Sequence, residues 1–104
     1  MAIANEVIDA IQLSANYPSI LKMGVFGSYA RGEQNQDSDV DILYDYDESM
    51  VDDMLDCVDA ICDRIGRKVD FVAHHALFKS NMDSYDLSFQ NRVLSEVVWV
   101  YEKN

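Results

Sequence analysis

The stretch that decides the fold runs from residue 20 to residue 46 and reads ILKMGVFGSYARGEQNQDSDVDILYDY. Its beginning, Ile20 to Phe26, is rich in large apolar residues and predicts a buried strand. Gly27-Ser28 ends this strand, and residues 29–38 have room for one short helical turn and a polar loop. The alternation of apolar and polar residues from Asp39 to Tyr46 predicts a second strand. A strand, a tight turn and a second strand are therefore expected here.

Helices are predicted on both sides of this stretch from the spacing of apolar residues. The first runs from Ile3 to Leu13. The second is expected to begin with Ser49 as its N-cap, with Asp52 in a position like that of a capping box, and to end at Gly66. Its apolar stripe consists of Val51, Met54, Leu55, Val58, Ile61, Cys62 and Ile65.

The rest of the chain predicts one more strand and one more helix. Lys68 to Ala73 is the strand, and the helix is expected to start near Asp86. The tail from Val97 to Tyr101 is rich in β-favouring residues, and periodicity leaves open whether it extends the helix or forms an edge strand. Trp99 and Tyr101 in this tail either anchor an interface or cover the domain's own core.

The order helix, strand, turn, strand, helix, strand and helix predicts the class of fold. It indicates an α/β or α+β domain in which a small mixed sheet is flanked by helices. The 104 residues suit a single domain, residues 1–104, with one modest core. Cys57 and Cys62 lie on the predicted middle helix, point in different directions and are expected to be core thiols rather than a disulfide.

Composition and charge narrow the class of partner. No apolar run approaches the ~20 residues that a membrane span needs, and no signal-peptide pattern opens the chain, so the cytoplasm is the expected location and no membrane partner is expected. The net charge is −11, from 19 acidic and 8 basic residues, and such a surface repels nucleic-acid phosphates. A cationic protein, a divalent metal or a metal–nucleotide complex is the more natural partner, and charge that only aids solubility is the alternative.

Two carboxylates and a glycine turn predict a site for a nucleotide and a metal. Asp39 and Asp41 lie two residues apart on a strand, so their side chains leave the same face and can bracket Mg²⁺. Such a pair is also common on a solvated strand edge. The Gly27-Ser28 turn favours the metal interpretation. A glycine lets a phosphate approach the backbone closely, and exposed N–H groups and the serine hydroxyl can bind the phosphate oxygens. Together they predict a cleft for a triphosphate and its metal.

Asp70 is a third carboxylate of interest. It interrupts an otherwise apolar strand, which is costly unless the group is paired or belongs to a site. Beside Asp39 and Asp41 it would complete a site for two metals ~3.5–4 Å apart, and it could accept the proton of an attacking hydroxyl. An edge-strand position, or pairing with Lys68 or Arg67, is the alternative.

These motifs resemble a known signature. Gly27-Ser28-Tyr29-Ala30-Arg31-Gly32 followed by Ser38-Asp39-Val40-Asp41-Ile42-Leu43, with Val69-Asp70-Phe71 later, closely resembles the DNA-polymerase-β-like nucleotidyltransferases. Within them the chain is similar to the minimal nucleotidyltransferase (MNT) domains, the antitoxin partners of HEPN-domain ribonuclease toxins. The match covers nearly the whole chain, and residues 91–98 resemble that family's last helix. No extra domain for nucleic acid, tRNA or an antibiotic is expected, which favours the minimal group.

The resemblance implies the polymerase-β-like nucleotidyltransferase fold, ATP as the donor, Mg²⁺ in a two-metal site and transfer of AMP to a tyrosine of the cognate toxin. It implies that Gly27-Ser28 holds the phosphates, that Asp39 and Asp41 bind metal and that Asp70 is the third catalytic and metal-binding carboxylate. Arg31 either steadies the triphosphate or pairs with the surrounding aspartates. The implied partner is a basic HEPN toxin in a hetero-oligomer, without direct contact to nucleic acid.

Three other functions remain open at this point. An antitoxin could neutralise its partner by masking alone, although intact Asp39, Asp41 and Asp70 argue against an idle nucleotide site. A transferase could act on a small molecule, although such enzymes usually need more chain to enclose the acceptor. A domain that only binds divalent ions would leave Gly27-Ser28 unexplained.

Overall fold

A four-stranded sheet forms the centre of the computed structural model, which describes residues 4–103. The helices are α1 (Asn5–Ile11), α2 (Ser28–Arg31), α3 (Met54–Ile65) and α4 (Ser84–Glu96), and 3₁₀ turns cover Gln12–Asn16 and His74–Phe78. The strands are β1 (Ile20–Phe26), β2 (Val40–Tyr46), β3 (Val69–Ala73) and β4 (Val98–Glu102). The predicted order of elements is confirmed, and the tail is a fourth strand.

The sheet is mixed, with the strands in the order β3-β2-β1-β4. β1 is antiparallel to both β2 and β4, whereas β2 is parallel to β3. Parallel neighbours need a crossover connection, and α3 supplies it between β2 and β3. The predicted fold class, a small mixed sheet flanked by helices, is confirmed.

Apolar side chains cover both faces of the sheet. On one face α1 and α3 pack against it, and Ile11, Ile42 and Ile61 are fully buried there. On the other face Leu43 and Val93 are fully buried in a second cluster, to which α4 contributes Val93. Because neighbouring residues of a strand point to opposite faces, β2 serves both clusters.

The tail forms an edge strand. Trp99 packs against the cluster that contains Leu43, and Tyr101 packs against the cluster that contains Ile42. Both aromatic side chains therefore cover the protein's own core, which was one of the two interpretations that the sequence left open.

The predicted start of the middle helix at Ser49 is wrong. The carboxylate of Asp47 accepts hydrogen bonds from the Ser49 N–H at 3.0 Å and from the Ser49 hydroxyl at 2.6 Å. These hydrogen bonds hold residues 47–49 in a turn instead of a helix, and α3 begins only after Asp53. Leu55, predicted to belong to the apolar stripe, is 69% exposed. The predicted end at Gly66 is confirmed, since this residue forms a left-handed C-cap with φ +73°.

The last helix begins slightly earlier than predicted. Asp83 is its N-cap and accepts a hydrogen bond from the Asp86 N–H at 2.8 Å, while the Asp86 carboxylate accepts from the Asp83 N–H at 3.3 Å. Asp86 is thus the third residue of α4 rather than its first, because this capping box closes the first turn. Ile3, the predicted start of the first helix, lies outside the described residues. Between residues 4 and 103, no helix combines the length and the apolar character that crossing a membrane requires.

Both cysteines lie on α3 and are free thiols. Cys57 is fully buried in the core, as predicted, and Cys62 is half-buried.

Candidate active site

The turn after β1 is built around Gly27. This residue has φ +74° and ψ −151°, a backbone region that residues with a side chain enter only with strain. A Cβ atom at this position would overlap the carboxylate of Asp41, which stands on β2 opposite Phe26 in the antiparallel pair. Only a glycine therefore lets the turn pass so close to this carboxylate.

A cavity of about 300 Å³ opens where the turn, the start of β2 and the C-terminal part of α4 meet. It is lined by Phe26, Gly27, Ser28, Arg31, Asp39, Asp41, Arg92 and Glu96. Of the six site residues that the sequence indicated, five line this cavity, and the sixth is Asp70.

Asp70 lies on β3 directly beside Asp41, because the two residues are register partners in the parallel pair. Neighbouring strands are ~4.8 Å apart, so the half-buried Asp70 stands next to the cavity lining. The basic residues near it are engaged elsewhere. Lys68 Nζ lies 3.4 Å from Asp39 Oδ2, and the Arg67 guanidinium donates to a tyrosine hydroxyl. Asp70 is therefore not paired with Lys68 or Arg67.

The carboxylates repel one another at the cavity. Burial raises the pKa of the Asp41 carboxyl above its usual value, and the charges of Asp70 and Asp39 raise it further. Arg31 and Arg92 act in the opposite direction. A cation placed among these carboxylates would relieve the repulsion, so the electrostatics favour cation binding.

The residues present fit a metal site that a ligand completes. Within residues 4–103, no three acidic, histidine or cysteine side chains come close enough to form a whole metal cage. Mg²⁺ is commonly held by one or two carboxylates, with water and substrate phosphates as its remaining ligands. Asp39 and Asp41 line the cavity and match this kind of site.

Arg31 is paired with glutamates, not with the aspartates that the sequence suggested. Its Nε lies 2.9 Å from Glu33, and its Nη1 lies 2.9 Å from Glu96. The second carboxylate oxygen of Glu96 also accepts a hydrogen bond from the Gly27 N–H at 3.2 Å. Gly27 and Arg31 thus donate to the same carboxylate.

Sequence reasoning missed two charged residues of the cavity, Arg92 and Glu96, besides the apolar Phe26. The two charged residues lie one helical turn apart on α4 and share one face of it. Their spacing is visible in the sequence, but the place where α4 docks is not, because packing between Val93 and Leu43 sets it. In the part of the chain that the structure describes, Arg92 has no carboxylate within ion-pair distance.

The sequence matches the family described as Polymerase beta, Nucleotidyltransferase over residues 9–104, which is nearly the whole chain. The chain therefore belongs to this family and is a nucleotidyltransferase. The resemblance to minimal nucleotidyltransferases is also confirmed, by the curated relatives and solved structures described next.

Among curated relatives, the chain is similar to the protein adenylyltransferase MntA of Thermococcus cleftensis, with 39% identity over 78% of this chain and 75% of that protein. A second relative, assigned as a protein adenylyltransferase of Methanocaldococcus jannaschii, is 33% identical over 56% of this chain. The match spans 61% of that second protein, less than two thirds of its length.

Solved structures share the fold. A structure assigned to a minimal nucleotidyltransferase superposes with a TM-score of 0.64 at 27% identity, covering 88% of this chain and 86% of that chain. A chain from a toxin–antitoxin crystal structure with AMP-PNP has a TM-score of 0.61 at 20% identity, covering 97% of this chain and 76% of that one. At that identity the second similarity concerns the fold alone.

Proposed function

We propose that this nucleotidyltransferase transfers AMP from ATP to a tyrosine hydroxyl of a partner protein, and that it acts in this way as an antitoxin. The proposal rests mainly on one cavity, which is lined by the Gly27-Ser28 turn, Arg31 and the Asp39–Asp41 pair. It combines donors for phosphate oxygens with carboxylates that favour a cation. The relative named protein adenylyltransferase MntA supports a protein as the acceptor.

The partner is a HEPN-domain ribonuclease toxin with basic surface, which the chain would meet in the cytoplasm. The net charge of −11 supports a cationic partner, since opposite charges speed and orient protein association. A protein that acts on RNA is expected to carry such a basic surface.

The proposed roles follow from the geometry. The Gly27 N–H, the Ser28 hydroxyl and the Arg31 guanidinium bind phosphate oxygens of ATP, because each is a donor at the cavity wall. Asp39 and Asp41 hold Mg²⁺, which when bound neutralises phosphate charge and fixes the triphosphate.

Asp70 completes the site from the neighbouring strand. It accepts the proton of the acceptor hydroxyl, whose oxygen then attacks the α-phosphorus of ATP. The new P–O bond forms as the bond from the α-phosphorus to pyrophosphate breaks, and pyrophosphate leaves. The position of Asp70 beside Asp41 supports its role as the proton acceptor and as a ligand for a second metal. Positioning and charge neutralisation account for most of the catalysis in such a transfer.

The proposal is tested by incubating the chain with α-labelled ATP, Mg²⁺ and the protein encoded by the neighbouring gene. We expect label on a tyrosine of that protein, identified by mass spectrometry. The double variant Asp39→Asn and Asp41→Asn should abolish labelling while it remains folded.

The matched control is Asp37→Asn with Asp63→Asn, which removes the same charge from two exposed positions. This control should label the partner as the wild type does. Neutralisation of the partner without any labelling would replace the proposal by masking, and labelling of a small molecule instead would replace it by small-molecule transfer.

A further inference from the structure

Glu96, the last residue of α4, places its carboxylate on donors of the proposed phosphate site. One oxygen accepts the Gly27 N–H at 3.2 Å, and the other lies 2.9 Å from Arg31 Nη1. The Glu96 side chain is only 18% exposed, so these contacts replace most of its hydration. The two donors therefore converge on an anionic oxygen group that belongs to the protein itself.

This position is electrostatically unfavourable for a carboxylate apart from those two contacts. The C-terminal end of a helix such as α4 is the negative end of its dipole. The cavity lining already contains Asp39 and Asp41, so with Glu96 it holds three carboxylates against the two cations Arg31 and Arg92. The charge-assisted hydrogen bonds from Gly27 and Arg31 offset this repulsion.

A phosphate oxygen cannot use the Gly27 N–H or the Arg31 Nη1 hydrogen that Glu96 holds, although Arg31 keeps further N–H donors. The Gly27 N–H is a single donor, and a phosphate beside an ionised carboxylate would add like-charge repulsion. If Glu96 leaves, Arg92 offers it a new partner, because Arg92 lies one turn earlier on the same helix face and is free of other ion pairs in the described residues. Pairing of Glu96 with Arg92 would thus give a second arrangement of the same charges.

We propose that Glu96 is an internal competitor of the phosphates, an affinity-determining carboxylate that occupies the Gly27 N–H and Arg31 until a phosphate displaces it. Return of Glu96 to these donors then promotes release of pyrophosphate. The identity of the ligand as ATP rests on the proposed function, whereas competition with a phosphate group does not.

The test compares Glu96→Gln with Glu33→Gln by calorimetric titration with ATP and, separately, with inorganic pyrophosphate, both with Mg²⁺. Glu33→Gln is the matched control, because Glu33 also pairs with Arg31 and carries the same charge but does not contact Gly27. A hydrogen bond to a charged group is stronger by about 1 kcal/mol than a neutral one, so we expect Glu96→Gln to bind both ligands roughly 5- to 10-fold more tightly. Glu33→Gln should change the affinity by less than about 2-fold.

Unchanged or weaker binding by Glu96→Gln overturns the inference, because it would show that Glu96 positions Arg31 rather than competing for it. Equal tightening in Glu33→Gln also overturns it, since removal of any nearby negative charge would then suffice. If pyrophosphate follows the expected pattern but ATP binds to neither wild type nor variant, the proposed function fails and the inference stands.

A measurement on the unmodified chain keeps the inference testable if Glu96→Gln does not fold. Addition of pyrophosphate with Mg²⁺ should shift the NMR resonances of both the Gly27 amide and the Glu96 side-chain carboxyl carbon. A shift at Gly27 with an unchanged Glu96 carboxyl resonance, or no shift at either group, overturns the inference.

Discussion

At the scale of single residues, the site depends on a close approach between backbone and carboxylate. Gly27 passes the Asp41 side chain at a distance that no Cβ would permit, and its own φ is positive. Asp41 in turn is crowded by other carboxylates and partly buried. The same contacts that suit a nucleotide and a cation therefore work against the stability of the unliganded fold.

Replacement of Gly27 by alanine should destabilise the fold and abolish ATP binding. Backbone strain of this kind costs about 1–3 kcal/mol, and overlap with Asp41 adds to it. The measurements are denaturant unfolding and calorimetric titration with ATP. Gly66→Ala is the comparison variant, because Gly66 also has a positive φ, +73°, but lies in the left-handed helical region with ψ 18° and has no atom within 4 Å of where a Cβ would be. Equal destabilisation by the two variants would contradict a role for the overlap.

Asp41→Asn should raise the melting temperature at neutral pH in the presence of a metal chelator. The pKa of Asp41 is higher in the folded state than in the unfolded chain, so the folded state binds this proton more tightly. The stability contributed by the protonated form is lost as the pH rises through the folded-state pKa, and at neutral pH the ionised group destabilises the fold. The gain in the variant should therefore shrink as the pH is lowered, because the carboxyl of wild-type Asp41 then takes up its proton in the folded state.

The control for this experiment is Asp37→Asn, in an exposed loop, whose melting temperature should stay close to that of the wild type at both pH values. A lower melting temperature for Asp41→Asn at neutral pH would show that contacts of the carboxylate outweigh its burial and repulsion.

Asp70→Asn should separate chemistry from binding. Loss of a general base typically lowers the rate by about 10²–10⁴-fold, whereas the affinity for ATP should change much less. A single-turnover assay of AMP transfer and a calorimetric titration with ATP measure the two quantities. A near-normal rate would remove Asp70 from the proposed machinery and leave it as a residue of an edge strand.

At the scale of elements, α4 contributes more to the site than its sequence suggested. It packs Val93 into the core and contributes Arg92 and Glu96 to the lining of the cavity. α2 contributes differently, since a helix of only four residues has a negligible dipole. We therefore expect individual donors, rather than the field of this helix, to bind phosphate.

Asp83→Ala should destabilise the protein by about 1 kcal/mol, because it removes the N-cap of α4 and one half of the capping box. For a chain of this size that corresponds to a fall in melting temperature of roughly 4–8 °C. Ser49→Ala is the contrasting variant, since Ser49 looks like an N-cap in the sequence but bonds only to Asp47 on the surface. It should change stability by less than about 0.5 kcal/mol, and a loss as large as that of Asp83→Ala would contradict the observed start of α3.

At the scale of the whole molecule, the acidic surface and the aromatic tail differ in their availability to a partner, because the acidic side chains are exposed and the tail packs on the core. The net charge of −11 lies largely on exposed side chains, including Asp56, Asp59 and Asp63 on the outer side of α3. Trp99 and Tyr101 cover the core instead. Removal of the tail would therefore expose the core, and attraction of a partner is better tested through the acidic surface.

Association with the proposed basic partner should slow as salt is raised. Exposed charges are screened within ~8 Å at physiological ionic strength, and electrostatic steering typically raises association rates by about 10–10³-fold. Stopped-flow or surface-based kinetics at low and high salt measure the effect, with an expected fall of about tenfold or more in the association rate. A rate that does not depend on salt, together with intact binding, would assign the contact to apolar surface instead.

The sequence by itself determined three of the four strands and five of the eight residues that line the cavity. Apolar alternation and the Gly27-Ser28 break fix β1, the turn and β2, because these elements are local in the chain and follow from side-chain period and glycine conformation. The same local reasoning predicted that Asp39 and Asp41 lie close together, and both line the cavity, although β2 begins only at Val40 and Asp39 directly precedes it.

Only the tertiary structure decided what closes the cavity and where the tail goes. Glu96 contacts Gly27 and Arg31 across 65 or more positions of sequence, and Arg92 lines the same cavity, through packing of α4 that no local pattern encodes. The tail forms β4 because β1 offers a free edge for pairing, and β-rich residues alone do not reveal such an edge. Local patterns report the conformation of each segment, whereas the contacts between segments depend on burial of apolar surface summed over the whole chain.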